Sequence, residues 1–298
     1  MRIRYVFALL VFLLAKRTSL GQNGIVVFQS DFGLKDGAVS AMKGVALGVS
    51  SELKLFDLTH EIPAYNIWEA SYRLYQTVPY YPPGTVFVSV CDPGVGTERH
   101  SIVMMTNSGQ YIVTPDNGTL TLVAEHMGIR EVRQIDEAIN RRKNSNESYT
   151  FHGRDVYAYT AARLAAHTIR FEQVGPKLPN EVVRLPYQKA DVKNGVVKGN
   201  IPILDVQYGN VWSNIPKSII DQLSLKPGDK VHVQIAQNGK FVYDKSVRWV
   251  HTFGEAPVGE DVAYINSLLN FSVAVNQGNF SEKHKVLSGP DWTIIISK

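Results

Sequence analysis

Short apolar runs alternate with helically spaced apolar positions through the first half of the chain, and this alternation constrains the fold most strongly. The continuous apolar run at 25–28 is typical of a strand buried on both faces of a sheet. Ala38, Met42 and Val45 then recur at helical spacing. Further strand-like runs lie at 53–58, 85–90, 102–106 and 111–114, and helix-like segments lie at 68–75, 120–126 and 156–166. We therefore predict an α/β domain with a largely parallel sheet over residues 24–175.

The pattern changes after this predicted domain. Pro176, Pro179 and Pro186 indicate a linker over residues 176–190. Short strand-like runs follow, separated by turns that contain glycine, and no long amphipathic helix accompanies them. We expect a small β-rich C-terminal domain, with a barrel-like sheet, over residues 191–298.

The formal net charge of +4 is confined to the start of the chain. Residues 1–21 contain Arg2, Arg4, Lys16 and Arg17 and no acidic residue, so the remainder has 27 basic and 27 acidic residues. A neutral body lacks the electrostatic surface of a nucleic-acid-binding protein, and we expect no nucleic-acid partner.

The same 21 residues have the features of an export signal. A basic start is followed by an unbroken apolar run at 5–15 and then by the small residues Ser19 and Gly21. We predict a signal-like segment at 1–21 and an exported protein, periplasmic or secreted, with a cytoplasmic location as the alternative. The apolar run is too short to cross ~30 Å of hydrocarbon as a helix, so we expect no stable membrane span.

Three acidic residues follow predicted strands of the first domain. Asp31, Asp92 and Asp116 each come directly after such a strand, and each has a glycine within two residues. Because ligands of open α/β sheets bind beyond the carboxyl ends of the strands, the pattern favours a polar ligand site there, with Asp36 and Asn117 on the same edge. The alternative is that aspartate and glycine are simply common in turns.

A histidine and an aromatic segment are further candidates. His152 lies beside Gly153 just ahead of a predicted helix, where it is either an acid, a base or an orienting group, or part of a capping turn. The segment 205–214 combines Tyr208 and Trp212 with Asn210 and a second asparagine at 214. Such a set suits an aromatic heterocycle, because a ring can stack and amides can bind its polar edge; the alternative is an ordinary polar turn.

Five motifs in order resemble those of the S-adenosyl-L-methionine (SAM) hydroxide adenosyltransferase family, the SAM hydrolases, which is related to the fluorinating and chlorinating enzymes. They are SDFG at 30–33, DPGVGT at 92–97 with Arg99, PDNG at 115–118, FHGRD at 151–155 and YGNVWSN at 208–214. The resemblance covers the chain from about residue 24 to its end. It implies an N-terminal α/β domain, a C-terminal β-barrel-like domain and a homotrimer whose sites lie between subunits.

The resemblance also implies a substrate site. Asp31 would hold the two ribose hydroxyls and Tyr65 would pack on the ribose. Tyr208 and Phe253 would stack on adenine, while Asn210 would bind its edge. The full set of implied substrate-binding residues is Asp31, Asp36, Tyr65, Asp205, Tyr208, Asn210, Phe253 and Ser267, of which Asp205 and Ser267 match positions that hold the ammonium and carboxylate of methionine.

The resemblance further implies the reaction: water or hydroxide attacks C5′ and expels methionine, giving adenosine. Asp92, Arg99 and His152 would surround that water, with Arg99 orienting Asp92 and either Asp92 or His152 accepting the hydrogen bond or proton. The halogenating relatives have tyrosine in place of Asp92, and a carboxylate would repel a halide, so Asp92 favours hydroxide. No cofactor or metal is implied.

Three alternatives remain open at this point. A 5′-halogenating, chlorinase-like enzyme would use the same fold. A non-catalytic SAM- or adenosine-binding protein would not need Asp92, Arg99 and His152 together. A metallohydrolase would use Asp31, Asp92, Asp116 and His152, although the usual histidine spacings are missing. The chain also departs from some relatives, since Leu268 and Val275 replace arginine near the methionine carboxylate and adenine and Asn270-Phe271 replaces a turn that contains glycine.

Overall fold

The structure is a computed structural model that describes residues 22–298. The predicted signal-like segment at 1–21 lies outside the described residues. The described chain forms two compact units. The first contains the described residues up to Tyr65 together with Val78–Asp116 and Val123–Glu181, and the second contains Asn66–Thr77, Asn117–Leu122 and Val182–Lys298.

The first unit is built on a seven-stranded sheet in the order β2-β1-β3-β5-β4-β6-β7. Its strands are β1 Ile25–Ser30, β2 Lys54–Thr59, β3 Val86–Val90, β4 Ser101–Thr106, β5 Tyr111–Pro115, β6 Ile129–Gln134 and β7 Lys177–Leu178. Strands β2, β1, β3 and β5 are parallel, whereas β4, β6 and β7 join by antiparallel pairing. The sheet is therefore mixed, and the largely parallel arrangement predicted from sequence describes only half of it. Strand β4 runs antiparallel because a tight turn at 107–110 joins it to β5.

The helices are short. They are α1 Ala38–Val49, α2 Ile67–Thr77, α3 Thr121–His126, α4 Glu137–Asn140, α5 Tyr159–Ala165, α6 Lys217–Ile220 and α7 Phe280–His284. A π-helical turn, Gly153–Ala158, leads directly into α5. Short 3₁₀ turns lie at Val78–Tyr80, Phe171–Gln173, Asp221–Leu223 and Phe253–Glu255.

The core of the first unit lies between the sheet and the pair α1 and α5. All five residues of β3 are buried, which is what a continuous apolar sequence predicts for a central strand. Helix α1 buries Val39, Met42 and Ala46 at helical spacing against the same cluster as Val156 and Leu164. This packing fixes the π-helical turn and its neighbours against the carboxyl ends of the central strands.

The second unit contains a nine-stranded sheet in the order β10-β11-β15-β14-β13-β12-β16-β9-β8. Its strands are β8 Asp191–Lys193, β9 Val196–Ile201, β10 Ile203–Asp205, β11 Asn210–Pro216, β12 Lys230–Gln237, β13 Lys240–Trp249, β14 Asp261–Ile265, β15 Asn270–Val275 and β16 Gly289–Ser297. All neighbouring pairs are antiparallel except β13 and β14. The β-rich character predicted for this half is observed, and barrel-like closure stays a prediction.

Alternating side chains build the second core. Val231, Val233 and Ile235 of β12 are buried together with Ile294 and Ile296 of β16, as expected for strands with one apolar face. Among residues 22–298, no helix is long and apolar enough to cross a membrane.

Candidate active site

Three adjacent parallel strands, β1, β3 and β5, end at one edge of the first sheet. A cleft of about 260 Å³ opens at that edge. It is lined by Asp31, Phe32, Ala64, Tyr65, Val90, Asp92, Val95, Thr150, Phe151, His152 and Gly153. This one cleft therefore brings together four of the predicted site residues: Asp31, Tyr65, Asp92 and His152. Asp116 follows β5 but does not line the cleft.

Asp92 and Arg99 form a buried ion pair at this cleft. Arg99 Nε donates to Asp92 Oδ1 at 2.7 Å, and Arg99 Nη2 donates to Asp92 Oδ2. Only 5% of the Asp92 side chain and 11% of the Arg99 side chain are exposed. Burial opposes the charged form of Arg99, but the hydrogen bonds and charge of Asp92 outweigh it and raise the pKa of Arg99. The two side chains thus form a bidentate carboxylate–guanidinium ion pair with fixed geometry.

Tyr157 and Ser101 support this pair, and sequence reasoning missed both. The Tyr157 hydroxyl donates to Asp92 Oδ2 at 3.4 Å and lies 3.2 Å from Ser101 Oγ. Arg99 Nη1 donates to the same Ser101 hydroxyl at 3.3 Å. Burial raises the pKa of Tyr157, so its hydroxyl stays protonated and remains a donor. Nothing in the local sequence signals this role, because Tyr157 is 65 residues from Asp92.

His152 lies at the cleft but bonds to a different pair of charges. Its Nε2 is 3.2 Å from Arg141 Nη2 and 3.7 Å from Glu137 Oε1. Within the described part of the chain, the buried Nδ1 atom has no hydrogen-bond partner. Burial, together with Arg141 and Arg99, lowers the pKa of His152, although Glu137 and Asp92 oppose that shift. Of the three predicted residues, Asp92 and Arg99 thus bond to each other directly, whereas His152 is a neutral histidine that contacts Arg141. Arg141 was not predicted from the sequence.

Asp31 has a preorganised carboxylate. Its Oδ2 accepts the backbone N–H of Tyr65 at 2.9 Å and the thiol of Cys91 at 3.7 Å. Tyr65 has a φ of +68°, a left-handed conformation that non-glycine residues seldom adopt, and its side chain is exposed. Two donors of the chain thus hold the Oδ2 side of the Asp31 carboxylate in place.

The FHGRD motif brings His152 into place through close backbone packing. A Cβ atom at Gly153 would lie 3.2 Å from Val90 Cγ1 and 3.3 Å from Met42 Sδ, so a larger residue would require these side chains to shift by a few tenths of an ångström. Asp155 is fully buried and ion-paired with Arg154 at 2.7 Å and with Arg142 at 2.9 Å. The motif is thus anchored to the sheet on one side and to charges on the other.

Asp36 is not brought into the cleft. Its side chain is exposed, and its Oδ1 accepts the backbone N–H of Ala38 at the start of α1. This local turn explains the residue type without a ligand.

The second unit has a cleft of its own, of about 950 Å³. Its lining includes every predicted residue of this unit: Asp205, Tyr208, Asn210, Phe253 and Ser267. Asn210 Nδ2 donates to Asp205 Oδ2 at 3.2 Å, which orients both groups. Gly209 between them has a φ of +66°, and any side chain there would collide with Asn279.

Other polar residues near this cleft divide into those that line it and those that bond only to the backbone. Asn266 lines the cleft with its Nδ2 buried and unpartnered among residues 22–298, although its Oδ1 accepts two backbone N–H groups. Asn214, by contrast, accepts from the backbone of Asn200 and donates to that of Gln188, and it is not part of the lining. Of the two asparagines beside Trp212, only Asn210 faces the cleft.

Two of the three sequence departures fall in different places. Val275 lines the second cleft, where it presents an apolar surface. Leu268 packs against a cluster that includes Tyr72 and Trp212. In the described part of the chain, no three His, Cys, Asp or Glu side chains form a group that could hold a metal ion.

Comparisons with known proteins identify the family to which both parts of the chain are similar. Residues 26–175 match the SAM hydroxide adenosyltransferase N-terminal domain and residues 199–293 match its C-terminal domain. A protein named (R)-S-adenosyl-L-methionine hydrolase from Methanocaldococcus jannaschii is 36% identical over 270 residues, covering 88% of this chain and 89% of its own. A fluorinase from Actinoplanes sp. is 26% identical over 301 residues, covering 93% and 98%. The crystal structure of an uncharacterized conserved protein from Thermotoga maritima has a TM-score of 0.83 at 36% identity, covering 92% of this chain and all of that one.

Proposed function

The chain belongs to the SAM hydroxide adenosyltransferase family, and we propose that it hydrolyses S-adenosyl-L-methionine to adenosine and L-methionine. The observation that carries the proposal is the buried pair of Asp92 and Arg99 beside His152 in the cleft of the first unit. Relatives with the hydrolase name are 31–36% identical to this chain, whereas the fluorinases are 26% identical.

Hydrolysis of SAM depends more on orienting the oxygen atom of the attacking water than on a strong acid. Water attacks C5′, the C5′–S bond breaks with its electron pair on sulfur, and the sulfonium becomes the neutral thioether of methionine, while the water gives up one proton. Because the leaving group is already positively charged, alignment of the water provides much of the rate. Asp92 Oδ1 accepts one hydrogen bond from Arg99 and keeps a second lone pair for that water.

The same pair disfavours a halide nucleophile. The charge of Arg99 is already balanced by Asp92, so the cleft offers no surplus cation to a chloride or fluoride ion. The Asp92 carboxylate would also repel an anion at this position.

The substrate contacts that the family resemblance implies involve residues that line the two clefts. Asp31 Oδ1 would accept from the ribose hydroxyls, with Tyr65 beside the sugar. In the second cleft, Tyr208 and Phe253 would stack on adenine while the amide of Asn210 binds its edge. Asp205 and Ser267 line that cleft and would hold the ammonium and carboxylate of methionine.

A homotrimer is part of the proposal, with each substrate held by the first unit of one subunit and the second unit of a neighbour. Co-expression of Asp92→Asn with a Tyr208→Ala, Asn210→Ala double variant tests it. Random assembly would leave about one site in four intact, so activity should reappear in the mixture. A monomer in sedimentation, or no recovery in mixed oligomers, would contradict the arrangement.

We propose in addition that the enzyme needs no metal or other cofactor and that it is exported. The Asp92–Arg99 pair supplies charge and hydrogen bonds without a Lewis acid. Export is supported by the signal-like segment at 1–21. Fractionation of expressing cells, with N-terminal sequencing of the product, tests the location.

The proposed activity is tested by incubating the purified protein with SAM, with and without chloride or fluoride, and separating the products by chromatography. Adenosine and methionine should form in equal amounts at a rate that halide does not change. Formation of 5′-halo-adenosine would favour the halogenating alternative, and binding without turnover would favour the binding protein.

A further inference from the structure

The environment of His152 assigns it a more specific role than an acid–base residue. We infer that Arg141 holds neutral His152 in the tautomer with its proton on Nδ1, so that His152 donates a hydrogen bond to the attacking oxygen and does not take its proton. The second part rests on the proposed function, whereas the tautomer does not.

The contact with Arg141 determines which ring nitrogen of His152 carries the proton. An arginine guanidinium has only N–H donors and stays protonated in proteins, so its neighbour must accept. Arg141 Nη2 lies 3.2 Å from His152 Nε2, which must therefore present its lone pair. A neutral imidazole has one N–H, and the proton is then on Nδ1.

Arg141 cannot easily turn away from His152. The same Nη2 donates to Glu137 Oε2 at 2.6 Å, and the guanidinium lies 4.7 Å from the centre of the Tyr149 ring. Only 6% of the Arg141 side chain is exposed. The competing partner for a proton on Nε2 would be Glu137 Oε1, but at 3.7 Å it is beyond hydrogen-bond range.

The charges around His152 are balanced. The ionisable groups that face His152 are Arg141, Arg99, Glu137 and Asp92, two of each sign. A proton on Nε2 would point at the donor of Arg141, so the imidazolium is disfavoured by geometry as well as by burial. The lowered pKa of His152 agrees with a ring that stays neutral.

A ring in this state has no lone pair left to act as a base. Nδ1 is buried beside the cleft and unpartnered among residues 22–298, which makes it the one remaining donor. Asp92 Oδ1 is then the group that accepts the proton of the attacking water. Arg141 is a positioning residue that acts through His152.

The tautomer can be measured without substrate. Full-length protein labelled with ¹⁵N in histidine is recorded by two-bond ¹H–¹⁵N correlation, which separates protonated from unprotonated ring nitrogens. The His152 signals are identified by their loss in His152→Gln. We expect the proton on Nδ1 in the wild type and a shift toward Nε2 in Arg141→Met, where Glu137 becomes the nearest partner.

Two control variants make this test selective. Arg141→Lys keeps a donor and should retain the wild-type tautomer. Arg133→Met removes another largely buried arginine of the same unit, one that pairs with Glu131, and should leave the His152 signals unchanged. A proton on Nε2 in the wild type, or no change in folded Arg141→Met, would overturn the assignment. These spectra do not depend on turnover. The tautomer assignment can therefore be wrong while the protein still cleaves SAM, and it can be right while the protein does not cleave SAM.

Activity tests the donor role separately. Asparagine at 152 offers an N–H near the position of Nδ1 and cannot act as a base, so His152→Asn should keep kcat within about tenfold of the wild type while His152→Ala loses ~10²-fold or more. In Arg141→Met, where the proton is expected to move to Nε2, the Nδ1 donor is lost, so kcat should fall while KM changes little. Equal losses in His152→Asn and His152→Ala would identify His152 as the base and overturn the donor role.

Discussion

Asp92→Asn separates the chemical role of the Asp92–Arg99 pair from its structural role. The substitution keeps the size of the side chain but removes its charge, and one Arg99 N–H then faces an amide instead of a carboxylate oxygen. If Asp92 aligns the water, kcat should fall ~10²-fold or more, which corresponds to about 2.7 kcal/mol of lost transition-state stabilisation. The Kd for SAM should stay within about threefold, because this interaction matters mainly in the transition state.

The same substitution should also destabilise the protein. Both side chains are largely buried, and removing one partner of a buried pair costs ~3–5 kcal/mol because the other charge is left unbalanced. The remaining amide oxygen still accepts one bond, so we expect the lower end, about 3 kcal/mol. For a domain of this size that lowers Tm by about 6–12 °C. Rates must therefore be measured well below the lowered Tm.

Two matched variants complete the design. Asp155→Asn removes another buried carboxylate of the same unit, one that pairs with Arg154 and Arg142, and should lower Tm without a comparable loss of kcat. Asp31→Asn should weaken SAM binding about tenfold, through one charge-assisted hydrogen bond, with kcat largely kept. Calorimetric Kd and single-turnover rates distinguish the three. If Asp92→Asn cleaves SAM within threefold of the wild-type rate, or loses binding as Asp31→Asn does, Asp92 is only a turn residue.

Further predictions concern the neighbours of this pair. Tyr157→Phe removes a long hydrogen bond to Asp92 and should lower kcat about fivefold, a loss of about 1 kcal/mol, with KM unchanged in steady-state assays. Asn210→Ala should raise the calorimetric Kd about tenfold, since it removes one ligand hydrogen bond and frees Asp205. EDTA should leave the rate of adenosine formation unchanged, and loss restored by a divalent ion would contradict this. The pKa of His152 in the folded protein lies below its usual 6.5, so the unfolded chain binds more protons below that pH and the free energy of unfolding decreases on acidification. Urea titrations between pH 7 and 5 should show a smaller decrease in the free energy of unfolding for His152→Gln than for the wild type.

The local elements of the first unit were predictable because apolar patterning determines them. The runs at 25–28 and 85–90 correspond to β1 and β3, and the segment at 68–75 lies within α2. Strand β6 was missed because its sequence, Ile-Arg-Glu-Val-Arg-Gln, is mostly polar and only one residue is buried. Residues 177–178, predicted as linker, form β7 because their backbone pairs with β6, a long-range contact that no local pattern contains.

The candidate site was predictable where a residue type and its backbone position together imply chemistry. Asp31 and Asp92 follow buried parallel strands, so their meeting at one edge follows from topology. Glu137, Arg141 and Tyr157 were not predictable, since each acts through a partner elsewhere in the chain and none lies in a recognisable motif. Asp36 does not line the cleft, and its Oδ1 accepts the backbone N–H of Ala38 in a local turn, so its role in substrate binding stays a prediction.

The most direct test of the proposed reaction follows the oxygen atom. Purified protein is incubated with SAM in H₂¹⁸O, and the products are analysed by mass spectrometry with Asp92→Asn as the control. Attack of water at C5′ predicts adenosine that carries one ¹⁸O at the 5′ position, unlabelled methionine, and little of either product from the variant. Unlabelled adenosine, label in methionine, or no cleavage of SAM would contradict the account.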